Sequence, residues 1–274
     1  MKIHTLQKFA VLSAIGLCFS ATAMAQVLVN DTFSSGTANS NGYYSYNASG
    51  GATQWTVGGG TIDNSDGSAP NTTINKSFTP TTLSAAGQSI TLQFSYRNLQ
   101  QSTVGGNMDI GLYNVGSTIS ANSLGGPNPL AGKVGFTLLQ NNSENVLYGV
   151  RHTGSGVSYD GVWYDNVAPG VVVPYVSTAA NTAMVQFSLT LAMTAGGLKV
   201  STISGGNVMP DLVYGSITSY TVDTISIFGN YVGGAGSRYS IVDNVIVTAV
   251  PEPATWALLA LSLTTVMVLR RRRA

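Results

Sequence analysis

Apolar and polar residues alternate with period two through much of the chain. In Ser89–Arg97, Ile90, Leu92, Phe94 and Tyr96 fall on one side, and Thr91, Gln93, Ser95 and Arg97 on the other. Val185–Met193 repeats this with Val185, Phe187, Leu189, Leu191 and Met193. Successive side chains of a strand point to opposite faces, so each run predicts a strand with one buried face. Shorter runs predict strands at Val27–Phe33, Met108–Tyr113, Lys133–Leu139, Val146–Arg151, Leu198–Ile203, Val222–Phe228 and Ile241–Val247. Gly58-Gly59-Gly60, Gly105-Gly106-Asn107, Gly196-Gly197 and Gly205-Gly206-Asn207 read as the turns between them. Asn39–Gly60 and Leu124–Gly132 read as loops, and Asp63-Asn64-Ser65-Asp66-Gly67 as a turn, since it lacks the order of a calcium loop. The interior shows no sustained apolar repeat at helical spacing, no repeat of fixed period and no linker. Many strands around one core predict an all-β fold, an antiparallel β-sandwich over residues 26–249.

The two ends break this pattern. Lys2 and Lys8 precede the apolar run Phe9–Phe19, and Ala23-Met24-Ala25 is a small-x-small cleavage site, so residues 1–25 read as a signal peptide that forms a helix. Signal peptidase is then a partner, and Gln26 is the first mature residue. The only cysteine, Cys18, lies in the removable segment, which excludes disulfides, thiolate metal sites and cysteine catalysis in the exported domain. Residues 250–274 form a second module. Pro251 and Pro253 hold Val250-Pro251-Glu252-Pro253 extended. Ala254–Leu269 carries no charge, proline or glycine and predicts a transmembrane helix, at the short end of the roughly 17–25 residues a span requires. Arg270, Arg271, Arg272 and Arg273 then act as a stop-transfer cluster that stays in the cytoplasm and leaves Glu252 outside.

The order Pro251-Glu252-Pro253, apolar helix, terminal arginines resembles the PEP-CTERM sorting signal. The resemblance implies recognition by an exosortase, an integral-membrane cysteine protease of transpeptidase type. It implies a precursor held in the inner membrane by its C-terminal helix, then processed near Pro-Glu-Pro and passed to the cell surface or extracellular matrix. Glu252 is on this reading a recognition residue and not a catalyst.

Charge changes its meaning once the ends are set aside. The whole chain carries +1. Between Gln26 and Val250, six basic residues stand against ten acidic ones, about −4 net. No basic patch remains, so no nucleic-acid partner is expected. The strands Val27–Phe33, Ser89–Arg97 and Tyr239–Val247 are together similar to the opening, central and closing strands of the concanavalin-A-like jelly roll of lectins and glucanases. Galactose-binding-like modules open and close in a similar way and are the alternative.

Candidate chemistry follows from this frame. Asp31 and Asp243 lie in the first and last strands. Asp243 is expected on the face of Ile241 and Val245, where a structural calcium ion bridging the two carboxylates would compensate their burial. The bland alternative is a carboxylate capped by backbone N–H groups. Tyr159, Asp160, Trp163 and Tyr164 combine aromatic faces with a carboxylate, a mixture that suits sugar rings, with His152 upstream. A strand–turn–strand corner with Trp163 in the core is the competing reading. Trp55 with Tyr43, Tyr44 and Tyr46 is a second possible platform.

Catalysis has little support. Glu144 is the sole glutamate of residues 26–250, and the Glu-x-Asp-x-x-Glu motif of the concanavalin-like glucanases is absent. Gly154-Ser155-Gly156 is not a nucleophile elbow. The expected function is therefore a non-enzymatic surface or matrix protein with a structural or polysaccharide-associating sandwich. A glycan hydrolase or lyase using a pair such as Asp160 and Asp165 is the alternative.

Overall fold

The computed structural model describes residues 24–47, 55–64, 72–98, 107–141, 146–153, 173–174, 184–229 and 240–251. The expected signal helix, transmembrane helix 254–269 and Arg270–Arg273 lie outside them. Among the described residues no helix is long and apolar enough to cross a membrane.

These residues form two packed sheets. The strands are β1 (Gln26–Asp31), β2 (Tyr44–Asn47), β3 (Trp55–Gly58), β4 (Thr61–Asn64), β5 (Thr72–Leu83), β6 (Ser89–Asn98), β7 (Asn107–Asn114), β8 (Ser123–Leu124) and β9 (Val134–Asn141). They continue as β10 (Val146–Thr153), β11 (Val173–Pro174), β12 (Val185–Thr194), β13 (Gly197–Ser204), β14 (Asn207–Val208), β15 (Leu212–Tyr214), β16 (Tyr220–Gly229) and β17 (Ser240–Val250). Sheet A runs β14-β13-β12-β6-β17-β4-β3, with β1 also on β17 and β15 on β13. Sheet B runs β11-β10-β9-β7-β16-β5-β2-β8. Sequence neighbours thus repeatedly land in opposite sheets, and every pairing is antiparallel except β2 with β8.

The alternation seen in the sequence sets the core. Ile90, Leu92, Phe94 and Tyr96 of β6 face inward beside Phe187, Leu189, Leu191 and Met193 of β12. Phe94 and Phe187 are register partners with stacked rings 5.2 Å apart. From sheet B, Phe136 meets Tyr214 and Tyr220 edge-on, each at 5.1 Å. Offset and edge-to-face ring pairs add about 0.5–1.5 kcal/mol beyond their burial.

Three sequence expectations change. The segment Asn39–Gly60 is not all loop: it holds β2 and β3, and Gly59 and Gly60, at φ 62° and 85°, make the two-residue turn into β4. Asp63 and Asn64 belong to β4 and not to a turn. β5, the longest strand, follows no clean alternation, because both of its faces carry buried residues. Its ladder with β16 breaks between Val222 and Thr224, opposite residues 78–80, where Pro80 lacks the N–H a continuous ladder needs.

Candidate functional site

The outer face of sheet B carries several buried polar residues among apolar ones. The residues of β5, β16, β7 and β9 that alternate with the core residues Ile74, Ile227, Ile110 and Leu138 are Thr73 and Asn75, Ser226 and Phe228, Asp109 and Gly111, and Thr137 and Leu139. The register sets Asn75 opposite Ser226, and Ser226 opposite Gly111. Thr73, Asn75, Asp109, Thr137 and Ser226 are all buried. The outer positions of an antiparallel sheet are usually solvated, so a run of small polar side chains removed from water on this face is unusual.

Asn75 is the most telling of these. It is fully buried, and both its Nδ2 and its Oδ1 lack a hydrogen-bond partner among the described residues. Thr73 Oγ1, on the same face, is buried without one as well. Leaving such groups unpaired costs about 1–3 kcal/mol each, so their retention calls for a reason outside folding. On the edge side, β2 sets Tyr44 opposite Asn75 and Tyr46 opposite Thr73.

A second polar group lies across the sheet. His152 of β10 is buried, with Nε2 3.4 Å from Asp109 Oδ2 and 3.2 Å from Thr137 Oγ1. The Tyr113 ring lies 5.2 Å from the imidazole. It packs over Gly135, where an added Cβ would meet the ring at 2.4 Å. Gly135 is thus the gap that lets Tyr113 reach the next strand. At the end of this face Asp223 accepts the N–H groups of Val115 (2.8 Å) and Gly116 (2.6 Å) and the Thr224 hydroxyl (2.9 Å). Those bonds hold the turn after β7, which builds a small apolar cluster of Tyr113, Val115 and Leu130.

No outer-face position of β5, β16, β7 or β9 is Lys or Arg. Lys133, just before β9, donates its ammonium to the Val115 carbonyl. Burial raises the Tyr220 hydroxyl above its ordinary range, with the Asp223 charge adding to the effect, and that hydroxyl donates to the Val134 carbonyl at 3.0 Å.

The expected calcium pair is not assembled. Asp31 is directed to the core side, where Oδ2 accepts the Tyr43 hydroxyl at 2.9 Å and the Lys76 ammonium at 2.7 Å. Lys76 therefore brings the positive charge assigned to the ion. Asp243 does not share a face with Val245 as expected. Asn244, at φ 52°, sits in a break of the β17–β6 register, so Val242 and Val245 both point into the core and Asp243 points away. Its carboxylate accepts the N–H (2.6 Å) and side-chain amide (2.8 Å) of Asn244. The two carboxylates lie on opposite sides of sheet A. Among the described residues no cluster of three or more His, Cys, Asp or Glu could hold a metal.

Trp55 and Tyr43 do not form a platform with Tyr44 and Tyr46: the first two belong to the core, and the latter two alternate with it on the outer face. Tyr159, Asp160, Trp163 and Tyr164, together with Asp165, lie outside the described residues, as do Ala23, Glu252 and Pro253. Ala25 is exposed one residue before β1, and Pro251 follows directly on β17. Sequence reasoning missed Asn75 and Asp109. The one available signal was the string of polar residues inside otherwise β-prone segments.

No curated protein matches the chain by sequence. In structure it is similar to the carbohydrate recognition domain of Emp47p, at TM-score 0.53 and 14% identity, covering 82% of this chain and 94% of that one. It is also similar to an endo-1,3-beta-glucanase from Streptomyces sioyaensis, at TM-score 0.54 and 11% identity, covering 83% and 97%. At such identities the likeness is one of fold, and it falls on the lectin and glucanase jelly roll. Residues 249–273 match the PEP-CTERM protein-sorting motif, so the chain is a jelly-roll β-sandwich whose last strand runs into that motif.

Proposed function

We propose that this is an exported protein which exosortase sorts to the cell surface or extracellular matrix, and whose sandwich associates there with polysaccharide through the outer face of sheet B. The precursor is held by one C-terminal helix with its arginines in the cytoplasm, and signal peptidase frees its N-terminus. The sandwich binds and does not turn over its ligand.

The observation that carries the ligand class is Asn75, whose buried amide has no partner for its donors or its acceptor among the described residues. A carboxamide matches vicinal sugar hydroxyls, which donate and accept at once. Tyrosines beside it on β2 suit the C–H faces of a pyranose. With no cation among the central positions and a carboxylate at Asp109, the face favours neutral glycans over uronic-acid polymers. The fold shared with a carbohydrate recognition domain is in keeping with a carbohydrate ligand.

The test is binding of the mature domain, residues 26–250, to an array of neutral and acidic polysaccharides. Retention on a neutral polymer that Asn75→Leu weakens at least tenfold supports the assignment. Equal binding by the variant moves the ligand elsewhere.

One contact favours the second reading, a glycan hydrolase or lyase. Asp109 and His152 face each other at 3.4 Å, a geometry compatible with moving a proton. Release of soluble products that Asp109→Asn abolishes would establish it over simple binding.

A further inference from the structure

Arg151 carries a positive charge into the space between the two sheets. Its register partner on β9 is the core residue Phe136, so its side chain leaves β10 on the inner side, opposite to that of His152. β11 pairs only with Val146 and Leu147, so among the described residues β10 is the edge of sheet B at Arg151. In sheet A, β15 pairs only with β13 and is likewise an edge. Arg151 Cζ lies over the Tyr214 ring of β15, 5.4 Å from its centroid. The two side chains thus meet across the open side of the sandwich, each on an edge strand.

This guanidinium lacks the compensation that a charge in such a place normally has. Its Nε is buried without a hydrogen-bond partner, and no carboxylate among the described residues lies within ion-pair distance of it. Lys76 and Lys199, by contrast, are paired with Asp31 and Asp211. The Arg151 charge reaches the Tyr220 hydroxyl, where it opposes the upward push of burial and of Asp223. Asp223 cannot serve as its counter-ion, because the Val115 and Gly116 N–H groups and the Thr224 hydroxyl already occupy that carboxylate. The Tyr214 face attracts a cation without neutralising it. A guanidinium is all donor, and this half-buried one keeps its Nη groups open to a ligand.

We infer that Arg151 is an anion site between the edges of the two sheets, separate from the outer face of sheet B, and that its ligand is a monoanionic carboxylate. Paired N–H groups of a guanidinium match the two oxygens of a carboxylate. One positive charge balances one negative charge. Asp223, near enough to act on the same Tyr220 hydroxyl, opposes a second negative charge and so disfavours a phosphate dianion. The carboxylate belongs either to a sugar acid or to a simple organic acid, since both present the same two oxygens. Binding compensates a charge that the ligand-free fold leaves bare, so an occupied site stabilises the domain.

The test is a titration of the mature exported protein at low ionic strength with glucuronate, acetate, glucose and chloride, read by thermal melts and by NMR of the Arg151 Nε–H. Glucuronate and acetate are expected to raise the midpoint and shift that resonance at millimolar concentration, while glucose and chloride do neither. Glucuronate acting ahead of acetate marks a sugar acid as the ligand, and equal action marks the carboxylate alone. Arg151→Met, similar in length, is expected to weaken both carboxylates by about tenfold or more and to leave the ligand-free midpoint unchanged or raised. Arg151→Lys keeps the charge without the paired N–H groups and is expected to lose most of the binding as well. Equal carboxylate effects on wild type and Arg151→Met, or chloride matching acetate, would overturn the site. So would a wild type that no carboxylate affects, with a lowered ligand-free midpoint for Arg151→Met, the result of a purely structural contact with Tyr214.

Discussion

Lys76 Nζ lies 2.7 Å from Asp31 Oδ2, an ion pair at the end of the sandwich core that joins β5 of one sheet to β1 of the other. The ammonium also donates to the Asn41 carbonyl at 2.8 Å and sits 5.0 Å over the Tyr43 ring. Both side chains are mostly buried, at 18% and 13% exposed. Removing one partner from such a pair leaves the other charge without compensation. Lys76→Met is expected to lower unfolding free energy by about 2–3 kcal/mol in urea melts, against the ~0.2–1 kcal/mol of an exposed pair. The exposed Lys199–Asp211 pair is the internal comparison: its carboxyl is held low chiefly by the Ser201 hydroxyl and then by Lys199, and Lys199→Met should cost less than about 1 kcal/mol. Millimolar calcium should leave the thermal midpoint unchanged.

Alkaline pH offers a separate reading of the same corner. Burial, and secondarily the Asp31 charge and hydrogen bond, push the Tyr43 hydroxyl well above its ordinary value of 10.0. Since the folded value is the raised one, the associated stability is fully present below pH 10 and falls as pH rises beyond it, where the unfolded chain ionises and the folded one resists. Stability should therefore decline above pH 10, and Tyr43→Phe should flatten part of that decline. Absorbance of tyrosinate followed against circular dichroism checks it: Tyr43 and Tyr220 should ionise only with unfolding.

Asn75 predicts a trade of stability against binding. Its unpaired amide penalises the ligand-free fold, so Asn75→Leu, similar in size, is expected to raise unfolding free energy by about 1 kcal/mol while weakening glycan binding. A residue kept for folding would show the opposite sign. The two readouts together, a urea melt and a binding isotherm, separate the cases.

Asp223 and Gly135 shape the face without contacting a ligand on this account. Asp223→Ala strands the Val115 and Gly116 N–H groups and should cost about 2–4 kcal/mol, with Asp223→Asn costing less. Gly135→Ala drives a methyl into the Tyr113 ring and should cost about 1–3 kcal/mol. Thermal melts of the mature domain check both.

Nine of the strands were legible because one face of each is apolar and the other polar, as in β6 and β12. β5 was not, because Thr72, Thr73 and Asn75 are buried polar residues that erase the alternation around Ile74. Asp243 was assigned to the wrong face for a related reason: one residue in left-handed backbone, Asn244, shifts everything before it relative to Val245. The sorting motif could be read directly, since its elements are consecutive in sequence and need no register to bring them together. The outer face of sheet B could not, because Asn75, Ser226, Gly111 and Thr137 come from four strands, and only the register makes them neighbours.

Sorting through the tail is the central claim, and the intact mass of the protein recovered from the cell surface tests it most directly. Wild type should lack the residues beyond the Pro251-Glu252-Pro253 region, while Glu252→Ala should be exported yet keep its tail and remain with the membrane. Identical processing of the two proteins, or a full-length tail on wild type, would contradict the account.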